Sequence, residues 1–506
     1  MSRVRWPVLV LLICAPVALL ATGVPLPFLD SPAGRPRPMP VPAGSFELAY
    51  LHTTTNGTTW ERFVAGMLRA PALLPGLEVD ASAAFSDSTT AVPEVVVGMA
   101  GRRDVLRVRW YKLSSERTTA DWVKALAERD PPPLALVGGG SSDRAADLAH
   151  ALAAQAAWKG PQPLLFITTA TADEVAGEGE GQPLIDVYDD RTFRFCFTNK
   201  QMAQAVTDFV WNRADLRPGL DGQDARGALG GALACGRPHA FNPVWADDPF
   251  SRDLHRQFRD AVGDRVQFVE PHIAFSVGGF SQPNRDEGRA ADAILTEAAK
   301  LPPQRSLLVL PTITQPARRL VRAIAEANPQ LARRLVAVGG DGIPVNALYR
   351  DGEFAWPVHA LPVPLVLFCH HDPLAWDADP AANEFPLRPP SSTEDVLHFA
   401  ELMRVVAGAS VGEAAGVVSA DAVRNRLHRG DPPFFDTEGN RRGGRGEHVC
   451  VLWPQAEAGN AGVSTLPQAT LEVWARTGDG WRLVRTEPID QRKLRSFTLA
   501  TPGGRG

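Results

Sequence analysis

The sequence predicts an α/β protein of two lobes, each built on a parallel sheet. Short apolar segments alternate with amphipathic helical ones along most of the chain. Strand-like segments end in glycine- or hydroxyl-rich turns: Gly138-Gly-Gly-Ser-Ser142, Thr168-Thr-Ala-Thr171 and Gly339-Gly-Asp-Gly342. The alternation comes in two series, one on each side of Phe193–Asn199.

In the first series, Phe46 to Leu51 reads as a strand. Thr58-Thr-Trp-Glu61 is a capping box, and Trp60, Phe63, Val64, Met67 and Leu68 then repeat at helical spacing. Val105 to Tyr111 alternates as a strand, and Ala120 to Arg129 reads as a helix. Leu134 to Val137 is a buried strand, Arg144 to Trp158 a helix, and Leu164 to Ile167 another strand. In the second series, helix Lys200 to Trp211 turns Met202, Val206, Phe209 and Val210 inward. Helix Ser251 to Ala261 carries Leu254 and Phe258. Strand Leu307 to Leu310 leads into Pro311-Thr-Ile-Thr314, where Pro316 suits a first helical turn. The strand ending at Val338 delivers Asp341 on a glycine-rich turn. Buried strands joined by right-handed helical crossovers make parallel sheets. Gly219–Gly236 is rich in Gly and Ala and reads as an insertion.

The chain has 506 residues, 44% hydrophobic and 22% charged, enough for two or three cores. A net charge of -5 offers no electrostatic footprint for nucleic acid, and Arg441-Arg-Gly-Gly-Arg445 reads as a solvated turn. Arg3 and Arg5 precede an apolar run from Val8 to Ala21, and Ala21-Thr-Gly23 fits a cleavage site. Residues 1–23 therefore read as a signal peptide, with an uncleaved anchor or a lipid-modified Cys14 as alternatives. The run is short for a membrane span. Residues 24–44 form a proline-rich linker. Cys196, Cys235, Cys369 and Cys450 are widely spaced, and their three possible pairings stay open.

In doubly wound sheets, ligands sit beyond the carboxyl ends of the strands, where helix N–H groups attract anions. Ser141, Ser142, Thr169 and Thr171 offer hydroxyls there for a carboxylate; plain helix capping is the alternative. Asp341 suits a ligand ammonium; a turn aspartate bonded to its own backbone is the alternative. Gly408-Ala-Ser-Val-Gly412 has nucleophile-elbow spacing around Ser410, but the elbow needs a preceding strand and Glu401 to Ala407 reads as helix. Cys369-His-His-Asp372 holds metal-capable groups, yet adjacent residues rarely face one ion and no second pair has zinc spacing. No Walker or dinucleotide fingerprint is present, so no cofactor is expected. Asn56-Gly-Thr58 matches a glycosylation acceptor.

The order of these pieces resembles the type I periplasmic binding proteins, the leucine/isoleucine/valine-binding family, from about residue 45 to residue 490. Leu136-Val-Gly-Gly-Gly-Ser-Ser142 is similar to that family's Gly-Pro-x-Ser-Ser turn, and Thr169-Ala-Thr171 to its Ser-Ala-Thr turn. Thr192-Phe-Arg194 with Asn199 and Gln201 resembles its passage into the second lobe. Ala246-Asp-Asp-Pro-Phe-Ser251, Val338-Gly-Gly-Asp-Gly342 and Phe434-Phe-Asp-Thr-Glu-Gly-Asn-Arg441 resemble three further stations. The resemblance implies two Rossmann-like lobes joined by three hinge crossings: lobe one at 45–199 and 362–440, lobe two at 200–361 and 441–506. It also implies that Ser141, Ser142, Thr169 and Thr171 hold an amino acid's carboxylate and Asp341 its ammonium. Asn199 and Thr312 fall at further contact positions. Asn199 stands where many members carry an acid, Phe250 where they often carry Tyr, and 312–314 lack an aromatic residue. The implied role is an extracytoplasmic protein that captures a small polar ligand for the permease of an ABC importer. The alternatives are a tethered ligand-sensing receptor of the same fold and a serine hydrolase using Ser410.

Overall fold

The computed structural model describes residues 36–53, 57–85, 91–175, 181–219, 237–275, 285–301, 304–345, 363–373, 393–410, 418–432, 447–454, 470–478 and 480–488. The signal segment, Cys14, Asn56, Cys235, most of Gly219–Gly236, Gly412 and the Phe434–Arg441 stretch lie outside them. Among the described residues no helix is long and apolar enough to cross a membrane.

Two sheets organise the chain. The first holds β1 (Ser45–Thr53), β2 (Leu77–Asp80), β3 (Glu94–Met99), β4 (Val105–Leu113), β5 (Ala135–Gly138) and β6 (Leu164–Ile167). A short pair, β7 (Glu174–Val175) and β8 (Gln182–Pro183), then precedes its last strand, β9 (Thr192–Arg194). The order is β2-β3-β4-β1-β5-β6-β9. From β4 to β9 the neighbours are parallel, and β3 and β2 extend the sheet antiparallel.

The second series has β10 (His239–Phe241), β11 (Val244–Trp245), β12 (Gln267–Val269), β13 (His272–Ile273), β14 (Ser306–Leu310), β15 (Leu335–Gly339) and β16 (Leu365–Cys369). It ends with β17 (His448–Trp453), β18 (Thr470–Thr477) and β19 (Gly480–Pro488). The sheet order is β12-β10-β14-β15-β16-β17-β18-β19, with β11 and β13 paired apart. β12 to β16 are parallel, and β17 to β19 are antiparallel.

The helices are α1 (Gly57–Arg69), α2 (Thr119–Ala127), α3 (Ser142–Ala154), α4 (Asn199–Asn212), α5 (Pro249–Val262), α6 (Arg285–Ala299), α7 (Thr314–Ala327), α8 (Pro329–Ala332), α9 (Thr393–Ser410) and α10 (Ala420–His428). Their start signals are local. Thr118 and Thr198 form capping boxes with Asp121 and Gln201, and the Asp248 side chain accepts from the backbone N–H groups of Phe250 and Ser251.

Each sheet is covered on both faces, which is why its strands read as continuous apolar runs. In β14, Leu308 and Leu310 enter one core while Leu307 and Val309 enter the other. In β5, Ala135 and Val137 face one side and Leu136 the opposite side. Helix α9 packs along α1 in the first lobe. The contact is close: a Cβ at Gly66 would lie 2.5 Å from Phe399 Cβ and 2.9 Å from Ala400 N.

The chain therefore passes between lobes three times: after β9, between β16 and α9, and between α10 and β17. β16 belongs to the second sheet, so the return to the first lobe falls after Cys369 rather than at 362. The antiparallel edges, β2–β3 and β17–β19, are additions to the expected parallel sheets.

Candidate functional site

In each sheet the strand order reverses at a switch point, which opens a crevice at the carboxyl ends of the flanking strands. In the first sheet this lies between β1 and β5; in the second, between β10 and β14. The turns predicted to bind ligand follow β5, β6, β14 and β15, so the fold puts them along these crevices.

On the first-lobe side, Gly139 adopts φ +85, a left-handed conformation that favours glycine. A Cβ at Gly140 would lie 2.9 Å from His52 Nε2, so the turn rests on the end of β1. Several hydroxyls serve the backbone. Ser142 Oγ accepts from Ala172 N at 3.3 Å, and Thr169 Oγ1 donates to Gly139 O at 3.2 Å. Thr168 Oγ1 donates to Gly138 O at 3.3 Å. Ser141 is the N-cap residue of α3 with no side-chain capping bond, so the capping alternative does not describe it. Thr171 is buried, and its carbonyl accepts from Asn199 N at 2.7 Å. Ser142, Thr171 and Asn199 are thus drawn together at the first crossing.

On the second-lobe side, Thr314 N donates to Gly342 O at 3.2 Å, which seats the turn after β14 against the turn after β15. Thr312 and Asp341 are brought together this way. Phe250 covers the turn: a Cβ at Gly342 would lie 2.9 Å from its Cε1. The Asp341 carboxylate does not fold back on its own turn; Oδ2 lies 3.0 Å from His370 Nε2.

The walls meet at the crossings. Phe197 N donates to His370 Nδ1 at 3.4 Å, and His398 Nε2 donates to Thr168 O at 2.7 Å. From α5, Asp253 accepts from Asp173 N at 2.9 Å and from Asn199 Nδ2 at 2.8 Å. Arg256 bridges Glu174 and Asp253, each at 2.6 Å. Two of the predicted residues keep a buried polar atom without a partner: Asn199 Oδ1 and Thr312 Oγ1. Similar atoms occur elsewhere in the fold, among them Thr207 Oγ1 and Trp245 Nε1, so these two point to a ligand only through their position.

Burial governs the titratable groups here. It pushes the Asp173 carboxyl up, against the Lys200 N–H that stabilises its charge and with help from Asp253. It also raises Asp248, to which nearby Asp143 adds, so the first turn of α3 approaches the N-cap of α5 across the lobes. The Cys196 thiol is raised to about 12 by burial, with Asp341 and Asp173 contributing. Burial lowers His52 below the usual histidine value.

Sequence reasoning missed His370, His398, Asp253 and His52. The His370 signal was visible in Cys369-His-His-Asp372, but the structure sends these residues apart: His370 to Asp341, Asp372 to Arg485 at 2.8 Å. Among the described residues no cluster of His, Cys, Asp or Glu is placed to hold a metal. Cys369 and Cys450 are neighbours, Sγ to Sγ 3.4 Å, as two thiols. Ser410 is the last residue of α9 and donates its hydroxyl to Val406 O at 2.7 Å, so a helix precedes it and not the strand that an elbow needs.

No protein-family model matches the chain, and no curated protein matches it. Among solved structures it is similar to an ABC transporter substrate-binding protein from Desulfitobacterium hafniense in complex with Leu, at 11% identity and a TM-score of 0.46, over 87% of this chain and 100% of that one. It is also similar to a leucine binding protein from Thermotoga maritima, at 13% identity and a TM-score of 0.45, over 87% and 98% of the two chains. A fatty acid ABC transporter substrate-binding protein from Thermomonospora curvata matches at 12% identity and a TM-score of 0.46, over 91% and 97%. The first and third of these are substrate-binding proteins of ABC transporters and the second is a leucine binding protein, and likenesses at these values assign no ligand to this chain.

Proposed function

We propose that this is an extracytoplasmic solute-binding protein that closes its two lobes on an amino acid or similar small polar molecule and presents it to the permease of an ABC importer. The observation that carries this reading is the pair of unpartnered buried atoms, Asn199 Oδ1 at the crossing and Thr312 Oγ1 on the second-lobe wall. Both are positions that the family resemblance implies as ligand contacts. A ligand donor would satisfy the amide oxygen, and Thr312 can donate or accept.

In this reading Ser141 and the N-terminal N–H groups of α3 take the ligand's anionic end. Ser142, Thr169 and Thr171 hold that turn in shape. Asp341, oriented by His370, takes a cationic or hydrogen-bond-donating group. An amide at 199 accepts from an ammonium without neutralising it, so the charge falls to Asp341. Binding both walls at once favours the closed arrangement.

Thermal denaturation against a panel of amino acids, amides and small acids tests this. A true ligand at ~100 times its dissociation constant adds roughly 2.7 kcal/mol, and Thr312→Val and Asp341→Ala each reduce that gain. A ligand whose gain survives both substitutions does not bind where we place it.

A further inference from the structure

A cavity of about 480 Å³ opens beside the first crossing, and none of the residues predicted from the sequence lines it. Asp173, Glu174 and Ile185 form its first-lobe wall, and Lys200, Gln204 and Arg256 part of the opposite wall on α4 and α5. Arg194, the last residue of β9, also lines it and is only 2% exposed. Its Nη2 donates to Ala172 O at 2.8 Å, but its Nε has no partner. A buried guanidinium N–H left open is costly, and a guanidinium suits oxyanions in particular.

The other charges on these walls differ in how far they are committed. Arg256 is held by Glu174 and Asp253. Asp173 accepts from Lys200 N at 2.8 Å. The Lys200 residue itself is exposed, which leaves its ammonium at the rim of the cavity. An incoming anion therefore meets the buried Arg194 and the exposed Lys200 beside three carboxylates of the lining, Asp173, Glu174 and the exposed Asp260.

We propose that this cavity is a second ligand site, taking a small oxyanion (a carboxylate or a phosphate) on Arg194 Nε and the Lys200 ammonium. Its walls come from both lobes, so an occupant binds the closed arrangement better than an open one and shifts the population toward closure. The cavity adjoins the cleft through Asp253, which accepts from Asn199 and pairs with Arg256, but the proposal does not depend on the cleft binding an amino acid.

Calorimetric titration of the full chain with succinate and with inorganic phosphate, at matched ionic strength, tests it. The expected result is saturable heat with at least one of the two; which one names the chemistry. Lys200→Met weakens that binding by about tenfold or more, as loss of a charge-assisted contact does, and Arg194→Met abolishes it. Asp341→Asn, in the cleft, leaves it unchanged. Arg194→Met also removes a buried hydrogen bond, so circular dichroism checks its fold, and the exposed Lys200→Met decides alone if it does not fold. The proposal is overturned by no saturable heat with either anion, by equal affinity in Lys200→Met, or by loss of binding in Asp341→Asn, which would put the anion in the cleft.

Discussion

Asp341 Oδ2 lies 3.0 Å from His370 Nε2, and His370 Nδ1 accepts from Phe197 N at 3.4 Å. One imidazole therefore ties the turn after β15 to two crossing segments. Because Nδ1 accepts, Nε2 carries the proton toward the carboxylate. His370→Ala strips Asp341 of this donor and is expected to cost about 1–3 kcal/mol, read from the urea midpoint. The same variant weakens ligand binding less than Asp341→Ala does, since it disorders the acid without removing it. An unchanged midpoint would show the pair to be incidental.

Gly342 and Phe250 set the height of the second-lobe wall. A methyl at 342 would lie 2.9 Å from Phe250 Cε1 and 3.0 Å from Thr312 O. The second neighbour is backbone and cannot swing away. Gly342→Ala is expected to destabilise by about 1–3 kcal/mol, and Phe250→Leu in the same chain recovers part of it. A double-mutant cycle measures the coupling; strict additivity contradicts the contact.

Arg319 and Glu287 form a buried pair between α7 and α6, with Arg319 Nη2 to Glu287 Oε1 at 2.8 Å and a second contact from Nε. Their side chains are 1% and 0% exposed. Glu287→Gln leaves the guanidinium charge uncompensated, and one-sided removal of a buried pair costs about 3–5 kcal/mol. Chemical denaturation reads the loss; a change within error would mean the pair is hydrated.

His52 supplies a pH dependence. Burial lowers its folded pKa below the unfolded value, with Arg144 adding and a hydrogen bond to Thr53 O opposing. The unfolded chain therefore binds the proton first. His52 favours folding fully above the unfolded histidine pKa, and this contribution is lost as pH falls from there toward the folded pKa. Stability measured from pH 7.5 down to about 5 is expected to fall less steeply in His52→Gln than in the unsubstituted protein. Parallel profiles would rule His52 out as a contributor.

The parallel strands were legible because they are buried on both faces. Leu134–Val137, Leu164–Ile167 and Leu307–Leu310 are uninterrupted apolar runs, and each becomes a strand within a residue or so. The capping box expected at Thr58 is not the start of α1, which already includes Gly57 and Thr58. The box at Thr198 was not read, although the helix after it was placed within a residue of its observed start at Asn199. Helix ends were less legible: the expected Arg144–Trp158 helix runs Ser142–Ala154, since Trp158 packs against the sheet from outside the helix. The outer antiparallel strands β2 and β19 escaped notice because they are short or largely exposed, whereas β17 is buried on both faces and its apolar run was simply not read as a strand. Residues 480–488 are mostly exposed, with a weak apolar pattern. At the candidate site, the strand-end turns point to Ser141 and Asp341. Asp253 could not, because its role depends on α5 meeting the first crossing, a contact between residues 54 positions apart in the case of Asn199.

Closure of the two lobes on a ligand is measured most directly as a distance. Spin labels at Glu128→Cys in the first lobe and Glu326→Cys in the second both stand at exposed positions. The chain carries Cys235→Ser; Cys196, Cys369 and Cys450 are buried. Pulsed electron–electron resonance is then recorded with and without the compound that most stabilises the protein. The expected result is one short, narrow distance with the compound and a longer, broader distribution without it, with Asp341→Ala keeping the broad form. Identical distributions in both conditions would contradict capture by closure.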